Sequence, residues 1–418
     1  MLDRLPFLGM IAGGCFLVLG TVFFVGSWLF ANLEMSRHSI TEDSIEDTGP
    51  VKYTKSDLPS LLSNLNLQTS PITGDYVFSN EGAGFVATTS LDTALQNYAI
   101  QLLNRSMTHE AAVIALRPDN GQILAMAHSA KNEGLEEEDL CLRADLPAAS
   151  LFKIVSAAAV IEAHNFSPNR PLYYRGGKYT LYKSQLKQEK GRYTNKTSFK
   201  EAFSGSINPV FGKIGIYDLG KDLIAQYADK FLFNHVIPFD LPVAMSRIDV
   251  PEDDFGLAEI ASGFNKRTLL SPLHAVMITS AVANNGTIME PWLVKDIRDK
   301  SGQILYSAVP SPLASPIKSE TAGQLRILMG DTVINGTCRK TFRSLRRKKA
   351  FKGIELGAKT GTINDPLDRY KYDWLTAYAL SEKGDQGICL VVLSVHGDKL
   401  GIRAKNIARD ILNFRYSS

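Results

Sequence analysis

The sequence has few cysteines and no metal-binding arrangement of histidines. Four cysteines in 418 residues are too few for a disulfide-stabilised scaffold, and no C-x-x-C pair occurs. The seven histidines form no H-E-x-x-H or related pattern, so the sequence predicts no metal site. A formal net charge of +3 gives no sign of a polybasic nucleic-acid-binding chain. With 44% hydrophobic and 21% charged residues, the composition excludes a disordered or collagenous chain.

Charged residues are absent between Arg4 and Glu34. Residues 7–30 are almost continuously apolar, and as a helix they would span about 36 Å, enough for a hydrocarbon core of about 30 Å. A cleaved signal peptide would have a shorter apolar region, and a lipidated Cys15 would lead into polar residues rather than the apolar ones that follow it. The sequence therefore predicts a transmembrane anchor. Arg4 and Arg37 flank it on opposite sides, so the flanking charge barely decides its orientation.

The rest of the chain alternates predicted helices and strands after a polar stretch at about 36–70, which we interpret as a stalk. A helix over 91–104, capped by Ser90, precedes a strand pair, and three successive strands precede a closing helix. This order favours an α+β domain with an antiparallel sheet. Helices are predicted at 91–104, 151–164, 209–219, 272–284 and 402–414, and strands at 111–116, 122–127, 357–362, 374–380 and 387–395.

The spacing S-x-x-K occurs three times, and one copy has a favourable context. The copy beginning at Ser184 lies in a polar stretch, and the copy at Ser315 contains a proline. Ser150 instead opens a buried helical run, with Lys153 one turn later on the same face. A helix N-terminus stabilises an anionic oxygen, and a lysine poor in solvent has a lowered pKa and can act as a base. Taken alone, an N-cap serine with a surface lysine explains the motif better.

Two further short motifs follow along the chain. An S-I-N sequence begins at Ser206, just before Pro209 and the next predicted helix, and alone it is explained as a helix cap. A K-T-G-T sequence begins at Lys359, on a predicted strand, and contains the only K-T-G in the chain. Gly361 leaves room for a substrate backbone along the strand edge. Lys359 and the threonine hydroxyls suit a carboxylate, although a polar edge strand would have the same composition.

The three motifs in this order form the set found in penicillin-binding proteins and β-lactamases. Over residues 85–415 the chain resembles the transpeptidase domain of penicillin-binding proteins. That resemblance implies a penicillin-binding, β-lactamase-like transpeptidase fold, α+β, with an antiparallel sheet flanked by helices behind one transmembrane helix. Further similar segments lie at 91–96, 117–126, 270–273, 283–286 and 335–337.

The resemblance also implies a role for each motif residue. Ser150 would be the acylated nucleophile, Lys153 its general base and Ser206 a proton relay. Asn208 would bind the peptide amide of the substrate. The backbone N–H groups of Ser150 and Thr362 would form the oxyanion hole. The substrate carboxylate and backbone would lie against Lys359, Thr360, Gly361 and Thr362.

The implied reaction is peptidoglycan D,D-transpeptidation. The substrate would be the D-Ala-D-Ala end of a stem peptide, β-lactams would be inhibitors, and neither metal nor organic cofactor is needed. Because such a substrate lies outside the cytoplasmic membrane, we expect a cytoplasmic tip and anchor at 1–34, a stalk at 35–84 and an extracytoplasmic transpeptidase domain at 85–418. The location would be the bacterial cell membrane. Other cell-wall synthesis proteins are candidate partners, and nucleic acid is not expected.

Several alternatives stay open from the sequence. Water in place of an acceptor amine would give a D,D-carboxypeptidase, and hydrolysis of a β-lactam ester would give a β-lactamase. No glutamate between Ser206 and Lys359 lies in the E-x-x-x-N pattern of one β-lactamase group, and the second motif ends in Asn208 rather than an apolar residue. A silent β-lactam sensor or scaffold is disfavoured because every polar motif group is present. Leu151 replaces the small hydroxyl residue common after the nucleophile, and the short stalk leaves no room for a glycosyltransferase.

A strongly basic segment separates the second and third motifs. It carries no acidic residue, and a solvated loop is the simplest interpretation. The alternative is contact with anionic lipid head groups or wall polymers. Its cations are Arg339, Lys340, Arg343, Arg346, Arg347, Lys348, Lys349 and Lys352.

Overall fold

The structure is a computed structural model that describes residues 52–417, apart from 64, 66, 68–73, 81–82, 132–138, 189–190, 366 and 382–386. The α-helices are α1 (Leu58–Leu61), α2 (Thr93–Asn104), α3 (Lys153–His164), α4 (Phe199–Ser204), α5 (Asn208–Lys213), α6 (Gly220–Lys230), α7 (Asp254–Ser262), α8 (Pro272–Ala283), α9 (Ser319–Ile334), α10 (Arg339–Arg346) and α11 (Ala404–Ser417). Short 3₁₀ helices lie at Lys55–Asp57, Ala149–Phe152, Lys183–Gln185 and Lys349–Phe351, and a π-helix at Ile214–Leu219.

The strands form two main antiparallel sheets and two small ribbons. Five strands pair in the order β11-β12-β13-β3-β4, four in the order β1-β2-β8-β9, and two each in β10-β7 and β5-β6. Their bounds are β1 (Asp75–Asn80), β2 (Ala83–Thr89), β3 (Glu110–Leu116), β4 (Ile123–Ala130), β5 (Pro171–Arg175), β6 (Thr194–Ser198), β7 (Ile288–Met289), β8 (Val294–Asp299), β9 (Ile304–Ser307), β10 (Pro312–Ala314), β11 (Ile354–Asn364), β12 (Lys371–Ser381) and β13 (Ile388–His396).

Helices cover both faces of the five-stranded sheet. Alternate residues of β13 enter different cores, with Val391 and Leu393 on the face of α8 and Leu390 and Val392 on the face of α2 and α11. Every residue of β13 is therefore buried, which explains why seven of its nine residues are apolar. The predicted α+β architecture with an antiparallel sheet flanked by helices is confirmed.

The helix α8 is buried along its whole length. Its N-terminus follows the sequence signal, because Ser271 Oγ accepts from the backbone N–H of His274 at 3.2 Å and a proline occupies the first turn. The cap of α2 differs from the prediction. Asp92 accepts from the N–H of Leu95, while Ser90 donates to the carbonyl of Ile123, so Ser90 ties the helix start to the sheet instead.

The folded part begins earlier than the sequence predicts. Leu58 and Leu62, assigned to the stalk, are 0% and 2% exposed and belong to the main core. Strand β1 precedes the expected start at 85 and β2 straddles it; β1 pairs with β2, and β2 pairs with β8 in the four-stranded sheet. The sequence did not predict these elements because each has only a few apolar side chains within a polar stretch. The described residues between 52 and 84 therefore include folded elements that precede the predicted start of the domain at 85.

Three other expectations are refined by the structure. The helix predicted at 209–219 is α5 followed by the π-helix Ile214–Leu219. The basic segment is a helix, α10, followed by a 3₁₀ turn, so the prediction of a loop is wrong. Cys141 and Cys338, for which the sequence left pairing undecided, are buried free thiols.

Within residues 52–417, apart from the gaps named above, no helix is both long enough and apolar enough to span a membrane. The apolar run predicted to be the anchor lies outside the described residues.

Candidate active site

Ser150 lies in the 3₁₀ helix Ala149–Phe152, which continues directly into α3. The turn before it is tightly held. Ala149 has a φ of +49°, and its carbonyl is so close to Gly263 that a Cβ at that glycine would lie 1.9 Å from the oxygen. Trp374 of β12 donates its ring N–H to the carbonyl of Pro147 at 3.0 Å. The nucleophile candidate is thus fixed by packing against two distant parts of the chain.

Lys153, at the start of α3, is completely buried. Its Nζ lies 2.9 Å from Oγ of Ser150 and 2.8 Å from Oδ1 of Asn208, and it also donates to the carbonyl of Ser262. The first two motifs therefore meet at one amine. A neutral amine would donate to the two carbonyl-type oxygens and accept from the Ser150 hydroxyl, which is the arrangement that a general base needs.

The second motif sits in the turn between α4 and α5. Ser206 has a φ of +55°, an uncommon conformation for a residue other than glycine. Asn208 is held at three points: its backbone N–H donates to the carbonyl of Lys178 at 2.7 Å, its Nδ2 to the carbonyl of Tyr179 at 3.0 Å, and its Oδ1 accepts from Lys153. Ser206 and Asn208 are both nearly buried, so the turn directs their polar groups inward.

The third motif lies on β11, the edge strand of the five-stranded sheet. Lys359 is fully buried, and its Nζ donates to Oγ of Ser206 at 3.0 Å. A Cβ on Gly361 would lie 3.4 Å from the backbone nitrogen of Ser150, so β11 runs directly beside the nucleophile. Thr362 is exposed on this edge. The strand therefore offers its edge to a ligand next to Ser150.

Burial shifts both lysines of the site towards the neutral amine. Burial lowers the pKa of Lys153 well below its usual value, and the charge of Lys359 lowers it further. Burial lowers the pKa of Lys359 to about 7. The surroundings of Lys153 therefore favour its neutral form.

Thr337 connects the second and third motifs. Its hydroxyl lies 2.8 Å from that of Thr360, and its backbone N–H donates to the carbonyl of Ser204 at 3.1 Å. Gly336 before it lies so close to Ser204 that a Cβ would be 2.3 Å from that carbonyl oxygen. The sequence included this segment among those resembling the family but assigned it no role in the site.

Asp373 of β12 is a further site residue that the sequence missed. It pairs in register with Thr362, whose hydroxyl donates to Oδ1 of Asp373 at 3.3 Å. Asp373 also accepts from the guanidinium of Arg403 and from the backbone N–H of Ala404 at the start of α11. Although burial opposes it, the nearby His396, whose Nε2 lies 3.7 Å from Oδ2, and the hydrogen bonds from Arg403 hold the pKa of Asp373 at about 2. A single aspartate within a strand carried no motif that could have signalled this.

The structure brings together all the predicted motif residues and separates them from the other S-x-x-K copies. Ser184 lies in the exposed 3₁₀ helix Lys183–Gln185, and Lys187 and Lys318 are exposed. Lys153 also donates to the backbone carbonyl of Ser262, and no pattern of side chains in the sequence could have predicted a backbone contact of this kind. Among the described residues no group of histidine, cysteine or acidic side chains could hold a metal ion.

The three motifs meet around two buried lysines on an α+β fold with an antiparallel sheet. The sequence profile of the penicillin binding protein transpeptidase domain matches residues 111–413. The chain belongs to this family.

Over the aligned residues, curated relatives are about a quarter identical to this chain. Stage V sporulation protein D of Bacillus subtilis is 26% identical over 266 residues, covering 61% of this chain and 40% of that protein. Peptidoglycan D,D-transpeptidase PbpA of Mycolicibacterium smegmatis is 23% identical over 337 residues, covering 72% and 65%. The chain thus spans between 40% and 65% of the length of these relatives.

Solved structures show the same fold. The D,D-transpeptidase domain of a peptidoglycan glycosyltransferase from Eggerthella lenta superimposes with a TM-score of 0.63 at 23% identity, covering 78% of this chain and 82% of that one. PBPA from Mycobacterium tuberculosis gives a TM-score of 0.62 at 22% identity, covering 79% and 82%. The penicillin G acyl-enzyme complex of that protein gives 0.60 at 21% identity, covering 79% and 80%.

Proposed function

We propose that this chain is a serine-type peptidoglycan D,D-transpeptidase that binds β-lactams. One observation carries the proposal: the buried amine of Lys153 lies 2.9 Å from Oγ of Ser150 and 2.8 Å from Asn208, next to the Lys359–Ser206 pair. A serine hydroxyl in contact with a buried neutral lysine is an activated nucleophile, because the lysine can accept its proton. The names of the relatives PbpA support the choice of substrate.

In the proposed acylation, Oγ of Ser150 attacks the carbonyl carbon of the penultimate D-Ala. Lys153 takes the hydroxyl proton as the C–O bond forms. The C–N bond then breaks, and the leaving amine of the terminal D-Ala receives a proton through Ser206, which is hydrogen-bonded to Lys359. The product is an ester on Ser150. Protons balance because Lys153 gains the proton that Ser150 loses, while the amine gains a proton that Ser206 gives up and recovers from the ammonium of Lys359.

The K-T-G edge would hold the donor peptide during this step. The substrate carboxylate would lie near Lys359, Thr360 and Thr362, while its backbone runs along Gly361. The backbone N–H groups of Ser150 and Thr362 would stabilise the oxyanion, for which the approach of β11 to the Ser150 nitrogen provides the geometry. Asn208 would accept or donate to the peptide amide while Tyr179 and Lys178 hold it in place.

An acceptor amine of a second stem peptide would resolve the ester into a cross-link. Such substrates lie outside the cytoplasmic membrane, so we place the catalytic domain there, tethered by a single-pass anchor in the uncharged run 5–33. Intact-mass analysis of the membrane fraction should show an uncleaved N-terminus. A mature chain that begins at Cys15 or later would contradict the anchor.

The nucleophile is tested by mass spectrometry after incubation with benzylpenicillin. We expect one covalent adduct, located on Ser150, and none in Ser150→Ala. Lys153→Ala should slow acylation by about 100-fold or more, because removal of a general base typically costs that much. Ser184→Ala and Ser315→Ala are matched controls that should label normally. An adduct on either control serine, or no adduct at all, would refute the site.

Product analysis separates transpeptidase from carboxypeptidase. With a pentapeptide donor and an acceptor amine such as a D-amino acid, we expect the exchanged product to exceed the hydrolysed one. Release of D-Ala without incorporation of the amine would instead identify a D,D-carboxypeptidase that uses the same acyl-enzyme.

A further inference from the structure

The surface of α10 and the turn after it is a concentrated patch of positive charge, which we call the α10 surface. All of its basic side chains are exposed. In the part of the chain that the structure describes, no ion pair involves any of them. The residues are Arg339, Lys340, Arg343, Arg346, Arg347, Lys348, Lys349 and Lys352.

This charge does not serve the stability of the helix. Arg339 and Lys340 occupy its first turn, where the helix dipole disfavours cations. Arg343 lies four residues from both Arg339 and Arg347, and like charges at that spacing repel. The helix is held instead by Phe342 and Leu345, which are buried in the core where α10 packs with α9 and α11. Repulsion among the cations on the exposed face therefore costs free energy, and an anionic partner would reduce that repulsion.

The α10 surface suits headgroup contact rather than insertion. Between residues 335 and 353 no large apolar side chain is exposed, so nothing is available to enter a hydrocarbon layer. A polybasic surface of this kind is attracted to anionic phospholipid, with each Lys or Arg contributing to the attraction.

The short connection between the predicted anchor and the domain makes the membrane surface the most accessible polyanion. If the run 5–33 is the anchor, residues 35–51 connect it to the first described residue, and fully extended they reach at most about 60 Å. A compact domain of this size has a radius of gyration of about 21 Å. Every face of the domain can then reach the headgroup layer.

We propose that the α10 surface docks the catalytic domain on anionic phospholipid headgroups. The inference rests on the membrane-tethered location under the proposed function. It has a consequence for orientation, because Thr337, bonded to Thr360 of the third motif, is two residues from Arg339. Docking through α10 would hold the K-T-G end of the active site close to the membrane surface.

The test uses the full chain reconstituted in vesicles. A donor fluorophore on Ala350→Cys, which is exposed within the α10 surface, reports energy transfer to a headgroup-labelled lipid in a Cys15→Ser background. The other cysteines, at 141, 338 and 389, are buried. We expect at least about twofold higher transfer in phosphatidylglycerol-containing vesicles than in phosphatidylcholine alone. The difference should vanish at high salt, since exposed charges are screened there.

Charge reversal provides the matched comparison. Glutamate at Arg346, Arg347, Lys348 and Lys349 should abolish the response to phosphatidylglycerol. The control replaces four exposed cations of the β5–β6 hairpin by glutamate. It changes the net charge equally and should leave the response to phosphatidylglycerol intact. The control residues are Lys183, Lys187, Arg192 and Lys196. Equal loss in both variants, or equal transfer in both lipids, would overturn the proposal.

Two further measurements separate the other outcomes. Tight binding of soluble polyphosphate with no response to phosphatidylglycerol would assign the surface to a wall-type polymer and also overturn lipid docking. Benzylpenicillin labelling of Ser150 in each variant shows that the fold and active site are intact. Absent labelling in the unmodified chain would refute the proposed function, whereas normal labelling without a lipid response would refute only the docking.

Discussion

The hydroxyl of Thr362 donates to Oδ1 of Asp373, its register partner on the neighbouring strand, at 3.3 Å. Asp373 in turn accepts from Arg403 and from the first backbone N–H of α11. The exposed edge of the active site is therefore connected through one buried carboxylate to the closing helix. A structural disturbance at Asp373 should reach both the stability of the domain and the position of Thr362.

Asp373→Asn should destabilise the protein by on the order of 2 kcal/mol at neutral pH. The folded pKa is about 2 against an ordinary value of 3.8, and each unit is worth about 1.4 kcal/mol. Because the folded pKa is the lower one, the contribution is present above about pH 4 and is lost as the pH falls towards 2. The destabilisation should therefore shrink in acid, as measured by thermal unfolding at a series of pH values.

Asp410→Asn is the control for this prediction, because Asp410 pairs with Arg409 on the outer part of α11. Asp410→Asn should change the free energy of unfolding by less than about 1 kcal/mol. If both variants lost stability equally at every pH, the assigned role of Asp373 would be wrong.

Lys359→Gln should move the pH dependence of acylation. In the proposed mechanism the base is the neutral form of Lys153, so acylation should rise with pH as Lys153 loses its proton. Removing the positive charge of Lys359 raises the pKa of Lys153, since that charge helps to lower it. The acid limb of the benzylpenicillin acylation rate should thus shift to higher pH. Lys266→Gln, outside the motifs, should leave it unchanged.

The same substitution should remove a second pH effect. The ammonium form of Lys359, with a pKa of about 7, would attract the carboxylate of the β-lactam. Binding to the unmodified protein should therefore weaken as the pH rises through about 7, whereas Lys359→Gln should bind weakly throughout. A variant that retained the full alkaline decline would exclude Lys359 as its source.

Gly263→Ala should damage the site, and Gly323→Ala should not. Gly263 has a φ of +63° at the end of α7, and a Cβ would lie 1.9 Å from the carbonyl oxygen of Ala149. We expect a loss of about 1–3 kcal/mol in stability together with slower acylation, because Ala149 must move. Gly323 lies within α9 with no atom near its Cβ position, so alanine there should stabilise by about 0.5–1 kcal/mol. Thermal unfolding and penicillin labelling of both variants measure this contrast.

The penicilloyl adduct on Ser150 should persist for many minutes, with negligible turnover of nitrocefin. Hydrolysis would need a carboxylate free to activate water. The two acidic residues we considered for that role are otherwise engaged: Asp253 caps α7 through the N–H of Gly256, and Asp365 accepts from the N–H of Tyr370. Asp253→Asn and Asp365→Asn should leave the adduct lifetime unchanged. Rapid nitrocefin hydrolysis that is lost in Ser150→Ala would establish a β-lactamase instead.

Local sequence predicted the parts of the site that depend on short-range geometry. The spacing of Ser150 and Lys153 is one helical turn, and K-T-G lies on the strand predicted at 357–362, so local sequence predicted the elements that carry the first and third motifs. The same holds for α8 and for the strands β11 to β13. The ends of elements were predicted less accurately, as the N-cap of α2 shows. Ser90 and Asp92 are both suitable N-cap residues, and the tertiary hydrogen bond of Ser90 to Ile123 leaves Asp92 as the cap.

By itself, the sequence determined that the fold is α+β and predicted which residues would carry the chemistry, because both follow from local patterns of polarity. Only the tertiary structure decided how those residues are arranged. It brought Lys153 to Asn208 across 55 residues and Lys359 to Ser206 across 153, and burial then lowered the pKa of both lysines. It also added the carbonyl of Ser262 and the carboxylate of Asp373. Burial and long-range pairing depend on which segments pack together, and no local pattern encodes that.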